Sequence, residues 1–223
     1  MKFKGAIFDM DGTIVDSLMF WDHLWQRIGE AYLNDSHFQP TVEVDKKVRT
    51  MIFADAMRFF QAYYAISADT EEFLRFTAAG VKNFYKDVVK PKAGAKEFLT
   101  FLKENNVKLC LASATAMPEI RFALECYDML RYFDGVLSCA DLGVGKDRPD
   151  IYLQAQELLG LPARDICVFE DSYVALETAK RVGFQTVGIY DAYNFEQERL
   201  KKSSDVYLDQ SQTLKDLIVG IHL

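Results

Sequence analysis

The sequence predicts an α/β fold: a mostly parallel sheet flanked by helices, with a small all-helical domain inserted after the first strand. Three observations carry this reading. From Pro91 onward, short apolar runs alternate with helical patterns of roughly ten to fifteen residues, the rhythm of right-handed crossovers. Residues 17–86 carry helical periodicity and no convincing strand. The apolar run ahead of that block, Ala6 to Phe8, ends abruptly in a pair of aspartates.

The stretch Phe3 to Ser17, FKGAIFDMDGTIVDS, organises the chain. Ala6, Ile7 and Phe8 read as a buried strand bounded by charge and turn residues. Asp9 and Asp11 stand two residues apart at its end, and Gly12 permits a sharp backbone path out of it. Crowded carboxylates either raise each other's proton affinity or hold a cation. An isolated D-x-D-G is as readily a turn decorated with aspartates, so the weight falls on what else reaches the same place.

Ser17 is placed to cap a helix on which Leu18, Trp21, Trp25, Ile28 and Tyr32 recur at helical spacing. Asn34 to Pro40 breaks it. A second helical pattern runs roughly from Glu43 to Tyr64, with Val48, Met51, Ile52, Phe59, Phe60 and Tyr63 on its apolar positions. Asp69 followed by Glu72 is a start signal resembling a capping box, and the third helix carries Phe73, Phe76, Val81, Phe84 and Tyr85. One helix cannot bury such an aromatic stripe, whereas a small bundle can. The aromatics are therefore core packing before they are substrate contacts. Residues 17–86 form the inserted domain, and residues 1–16 with 87–223 form the α/β domain, joined by two neighbouring linkers.

In the α/β part, a helix over 93–104 leads into a strand over 107–112, with Ser113 to Thr115 as its exit. Pro118 suits the first turn of the following helix. A short strand over 135–137 leads through Asp141, Gly143, Gly145 and Lys146 to a helix over 150–159, which Gly160 stops. Asp165 to Phe169 is the next strand, with Glu170, Asp171 and Ser172 at its exit and a helix ended by Gly183. Gln185 to Ile189 and the weaker Val206 to Leu208 complete the strands, ahead of a terminal helix from about Thr213.

Composition narrows the function classes. Half of the 223 residues are hydrophobic and about a quarter charged, as in an ordinary soluble globular protein. Acidic residues outnumber Lys and Arg by 33 to 26, so no broad cationic surface is available to meet nucleic-acid phosphates. A single local lysine still suffices for a small anion. Cys110, Cys126, Cys139 and Cys167 have neither zinc-site spacing nor the density of a disulfide framework. Cys110 and Cys167 lie inside apolar runs as buried thiols, which suits a reducing compartment. No signal-like segment opens the chain and no run approaches a membrane span, so the expectation is a cytoplasmic protein with no membrane partner.

In an open parallel sheet the strand exits gather on one edge, where ligands bind near a switch in strand order. That edge collects Asp9, Asp11, Ser113, Lys146, Glu170 and Asp171. Taken singly, Ser113 reads as a helix cap, Lys146 as a surface cation and Glu170-Asp171 as a polar helix start. Together their chemistry closes: carboxylates are the hard ligands magnesium prefers, a hydroxyl and an ammonium bind phosphoryl oxygens, and a carboxylate serves as nucleophile. Without a metal, one carboxylate must be protonated.

DMDGT at 9–13, a hydrophobic strand ending at Ser113, Lys146 followed by Pro149-Asp150, and Glu170-Asp171-Ser172 resemble the four motifs of the haloacid dehalogenase superfamily, in order and across almost the whole chain. The helical insertion directly after the first motif resembles the subclass with a small helical cap, which includes beta-phosphoglucomutase-like and phosphoglycolate-phosphatase-like enzymes. The resemblance implies a Rossmann-like core with central strand order 5-4-1-2-3. It also implies that Asp9 attacks phosphorus to form a phosphoaspartate, and that Asp11 protonates the leaving oxygen and then activates water. Ser113, Ala114 and Lys146 would bind the phosphoryl group. Mg2+ would be held by Asp9, the backbone carbonyl of Asp11 and Asp171, with Glu170 nearby or acting through water. Asp147 stands where family members often have proline, and Ala175 where many have glycine; neither touches an atom that the mechanism needs.

The implied activity is hydrolysis of a small phosphorylated metabolite, with no nucleic acid and no obligate protein partner. The mutases of the subclass present a histidine shortly after the first motif and an arginine-bearing cap loop. Here that neighbourhood reads Ser17, Leu18, Met19 and Phe20, and the first histidine is His23, which favours a phosphatase over a mutase. A non-catalytic phosphate-binding regulator is the reading from another class. In the inserted domain, Ser17, Trp21, Lys46, Lys47 and Arg49 are candidates for leaving-group contacts, set against exposed helical cations and a packed tryptophan.

Overall fold

The computed structural model describes residues 1–49, 51–194 and 196–221. The chain enters through β1 (Gly5–Phe8), all of whose residues are buried. Gly12, at φ +80°, turns it out of the strand, and β2 (Val15–Asp16) carries it into the helical block. There α1 (Phe20–Ile28) continues as a π-helical turn over Gly29–Leu33 and ends at Asn34 in the left-handed conformation. Next come α2 (Val42–Val48), α3 (Phe53–Tyr63) and α4 (Thr70–Asp87). The chain returns through β3 (Lys90–Pro91), which pairs antiparallel with β2. The remainder alternates: α5 (Ala95–Glu104), β4 (Lys108–Ser113), α6 (Met117–Cys126), β5 (Gly135–Ser138), α7 (Cys139–Leu142), α8 (Asp150–Leu159), β6 (Ile166–Glu170), α9 (Tyr173–Arg181), β7 (Gln185–Ile189), α10 (Gln197–Ser203) and β8 (Val206–Leu208).

The six-stranded sheet has the order β5-β4-β1-β6-β7-β8, and every neighbouring pair in it is parallel. Around its centre this is the order that the family resemblance implies. The chain steps from β1 to β4 on one side and later to β6 on the other, so the end of β1 is the switch point where a crevice opens. Register aligns Phe8 with Leu111 of β4 and Phe169 of β6, which brings the exits of these strands side by side.

Side chains alternate across the sheet as the strand period requires. Ile7, Cys110, Ala112, Ile166 and Val168 form one core with α8 and α9, through Ile151, Tyr152, Ala155, Leu176 and Ala179. Phe8 takes part in a second packing arrangement: its ring stacks on Phe169 at 4.4 Å and meets Phe98 of α5 edge-on at 6.0 Å.

The chain divides into two compact units, Met1–Leu18 with Val89–Leu223, and Met19–Val88. The helical unit is built on aromatic residues. Trp25 stacks on Phe60 at 4.6 Å within a buried group that includes Leu24, Ile28, Val44, Val48, Met57 and Phe73. Asp69 caps α4, accepting from the Glu72 N–H at 3.0 Å, as its sequence position predicts.

Several elements depart from the sequence reading. The pattern over 43–64 is two helices, because Ile52 sits extended (φ −61°, ψ 133°) at the N-cap of α3. Apolar periodicity runs across the break because both helices bury their stripes in the same core. Ser17 caps no helix: Met19 occupies that position without a side-chain bond, and the Ser17 hydroxyl is directed to Asp11 instead. The two-residue strands β2 and β3 are too short to leave a periodic signal. The expected terminal helix is a 3-10 helix, Leu214–Gly220, entered through a Thr213–Asp216 capping box. Among the described residues, no helix is long and apolar enough to cross a membrane.

Candidate active site

The edge formed by the ends of β1, β4 and β6 carries the polar residues. Lys146, from the segment between α7 and α8, donates to Asp9 Oδ1 and to Glu170 Oε1. Asp9, Glu170 and Asp171 each offer a carboxylate oxygen within 4.8 Å of the others, and all are buried. Gly12 permits this approach: a Cβ there would lie 2.7 Å from Asp171 Oδ2, and its φ of +80° is one that side-chain-bearing residues rarely adopt. Ser113, at the end of β4, is buried, and its Oγ accepts from the Thr115 N–H at 3.1 Å. Thr115 Oγ1 in turn donates to Asp11 Oδ2 at 2.6 Å, while Ser17 Oγ donates to Asp11 Oδ1 at 2.6 Å.

The predicted core residues Asp9, Asp11, Ser113, Lys146, Glu170 and Asp171 thus converge on one edge. Ala114 follows Ser113 and is exposed. Ser17 is buried within the α/β unit. The other four candidates lie in the helical unit. Arg49 pairs with Asp45 at 2.9 Å and Asp22 at 3.9 Å, and its guanidinium lies 5.7 Å from the Trp21 ring centre. Trp21 also packs on Trp25 and Phe53. Lys46 is exposed, and Lys47 lies 4.1 Å over Phe59.

Electrostatics set this edge apart. Burial pushes the Asp9 carboxyl up to about 8; Lys146 offsets part of the rise, while Glu170 and Asp11 add to it. Burial also raises Asp171 well above the carboxylate range, reinforced by Glu170, Asp9 and Asp191. For Lys146, burial opposes the charge, but Asp9 and Glu170 outweigh it and hold the ammonium protonated. Carboxylates in such excess over nearby positive charge are balanced by protons or by a cation. The donors are hard oxygens, buried and mutually close, and they fit magnesium. Thr13 Oγ1, beside Gly12, is buried without a hydrogen-bond partner among the described residues, a state that costs about 1–3 kcal/mol.

Sequence reasoning passed over two contributors. Tyr152 of α8 is buried, and its hydroxyl donates to Glu170 Oε1 at 3.3 Å. Only its polar tip, on an otherwise apolar helix face, could have signalled this. Thr115 reaches Asp11 from another strand exit, and a hydroxyl two residues after Ser113 is its one trace in the sequence.

Residues 3–183 match the family model described as haloacid dehalogenase-like hydrolase. The chain is 27% identical over 192 residues to a phosphorylated carbohydrates phosphatase of Thermotoga maritima, covering 86% of this chain and 87% of that one. It is 24% identical over 189 residues to a fructose-1-phosphate phosphatase of Escherichia coli, covering 84% of this chain and 97% of that one. Its fold is similar to that of CbbY from Rhodobacter sphaeroides, crystallised as a variant with xylulose-(1,5)bisphosphate, with TM-score 0.80, 18% identity, and 99% and 100% of the two chains covered. With the motif order, the parallel sheet and the family match in agreement, the chain belongs to the haloacid dehalogenase-like hydrolases.

Proposed function

We propose that this hydrolase is a magnesium-dependent phosphatase of small phosphorylated metabolites, with phosphorylated carbohydrates as its substrate class. The observation that carries the reading is the buried contact of Lys146 with both Asp9 and Glu170, beside Asp171. An ammonium shared in this way neutralises part of a carboxylate cluster and offers the remainder of its charge to phosphoryl oxygens. The substrate class rests on the relatives named for phosphorylated carbohydrates and fructose 1-phosphate.

In the proposed reaction an Asp9 carboxylate oxygen attacks phosphorus, and the ester oxygen departs with a proton from Asp11. Water then attacks the phosphoaspartate, giving its proton to Asp11, and inorganic phosphate leaves with Asp9 regenerated. Ser113 and the backbone at Ala114 hold phosphoryl oxygens, and Lys146 offsets their charge. Magnesium would be held by Asp9, the Asp11 carbonyl and Asp171, with Glu170 through water, and when bound it supplies positive charge against the phosphoryl oxygens.

The test is release of inorganic phosphate from a library of sugar phosphates, with magnesium and with chelator, and with and without a sugar bisphosphate. Magnesium-dependent release is the expected result. Bisphosphate-dependent isomerisation faster than release would assign a mutase, and phosphate binding without turnover would assign a regulator; either overturns the proposal.

A further inference from the structure

Asp11 is gripped at both carboxylate oxygens, and the two grips have different origins. Ser17 Oγ donates to Oδ1 at 2.6 Å from six residues along the same segment. Thr115 Oγ1 donates to Oδ2 at 2.6 Å from the exit of β4, 104 residues away in sequence. Both are short hydroxyl-to-carboxylate contacts, one on each oxygen. Thr115 is itself held. Its N–H donates to Ser113 Oγ at 3.1 Å, and its carbonyl accepts from Ser138 Oγ, at the end of β5, at 2.7 Å. Ser138 is buried and also accepts from the Ala140 N–H, so the clamp is anchored in the sheet.

We propose that Thr115 is a positioning residue for proton transfer, fixing the Asp11 carboxylate from the second strand exit through a Ser138–Thr115–Asp11 chain. The inference rests on Asp11 as the acid and base of the proposed phosphatase reaction. A carboxylate free to rotate about its side-chain bonds spends little time aimed at the leaving oxygen, and a fixed donor on Oδ2 removes that freedom. A hydroxyl accepts as readily as it donates, so either partner can turn about its C–O bond when Asp11 carries the proton. Ser17 holds Asp11 only relative to its own loop. Thr115 ties it to the strand whose Ser113 is assigned to the phosphoryl group.

The experiment compares wild type, Thr115→Val and Thr115→Ser on p-nitrophenyl phosphate and fructose 1-phosphate with magnesium. Nitrophenolate leaves without a proton, whereas an alkoxide does not. Loss of the contact that orients Asp11 should lower kcat/KM of Thr115→Val on fructose 1-phosphate by about 10- to 100-fold. On p-nitrophenyl phosphate the loss should stay within about threefold, and Thr115→Ser should restore most of the difference. Equal losses on both esters, or no rescue by serine, would overturn the proposal. Side-chain NMR couplings of Asp11 form the second arm, with a single rotamer expected in wild type and averaging in Thr115→Val. Should wild type release no phosphate from either ester, the phosphatase reading fails. The rotamer comparison then decides the placement of Asp11 by itself: an unchanged rotamer in Thr115→Val overturns the role of Thr115.

Discussion

A Cβ on Gly12 would lie 2.7 Å from Asp171 Oδ2, so the first motif and the last are in contact through an absent side chain. Glycine is required there twice, once for its φ of +80° and once for the space. Gly12→Ala is expected to cost more than about 1 kcal/mol of stability and to push Asp171 away from Asp9. Magnesium titration monitored by the rise in melting temperature checks this: the variant should need at least about tenfold more metal for the same rise. Wild-type metal dependence would show that Asp171 has room to spare.

Asp11→Asn separates the two halves of the proposed reaction. Loss of a proton-transfer group typically lowers rate by about 100- to 10,000-fold, and the expected drop falls in that range. Asp9 should still accept a phosphoryl group from an activated aryl phosphate. Intact-mass spectrometry of the quenched variant should therefore find a phosphorylated protein, and Asp9→Asn should show neither turnover nor adduct.

Metal removal should leave a signature in pH. An unfolded aspartate titrates near 3.9, whereas Asp9 in the fold titrates at about 8, raised by burial. Between these values the folded protein binds more protons than the unfolded chain, so its stability falls as pH rises. Asp171 is raised as well and acts in the same direction. The magnesium-free protein should therefore melt at progressively lower temperature from about pH 4 to about pH 8. Saturating magnesium should flatten the slope, because a bound cation replaces the protons. Melting curves across pH in chelator and in magnesium decide it; parallel curves would count against the raised carboxyls.

In the helical unit, Asp45 accepts from the Trp25 indole at 2.8 Å and pairs with Arg49 at 2.9 Å. Asp45→Ala strands the buried indole N–H as well as loosening the guanidinium. The expected cost is about 1–3 kcal/mol, read from the denaturant midpoint. A change below about 0.5 kcal/mol would mean the indole finds another acceptor.

Much of the fold is legible in the chain because it is written locally. Apolar runs such as Ala6 to Phe8 mark strands, Gly160 at φ +65° ends a helix, and Asp69 begins one. The site is legible through a rule of topology: parallel strands share an exit edge, so Asp9, Ser113 and Glu170 must meet if their strands are neighbours. Register alone carries that inference, and no side-chain geometry is needed for it.

What the tertiary structure decided is which atoms touch. Ser17, a helix cap on sequence pattern, donates its hydroxyl to Asp11 instead, and Thr115 reaches the same carboxylate from far along the chain. The break between α2 and α3 left the apolar spacing undisturbed because both helices serve one core. Hydrophobic period and turn chemistry are properties of neighbouring residues, and the sequence determines them by itself. A hydrogen bond between strand exits depends on how far each loop travels, and only the packed sheet fixes that distance.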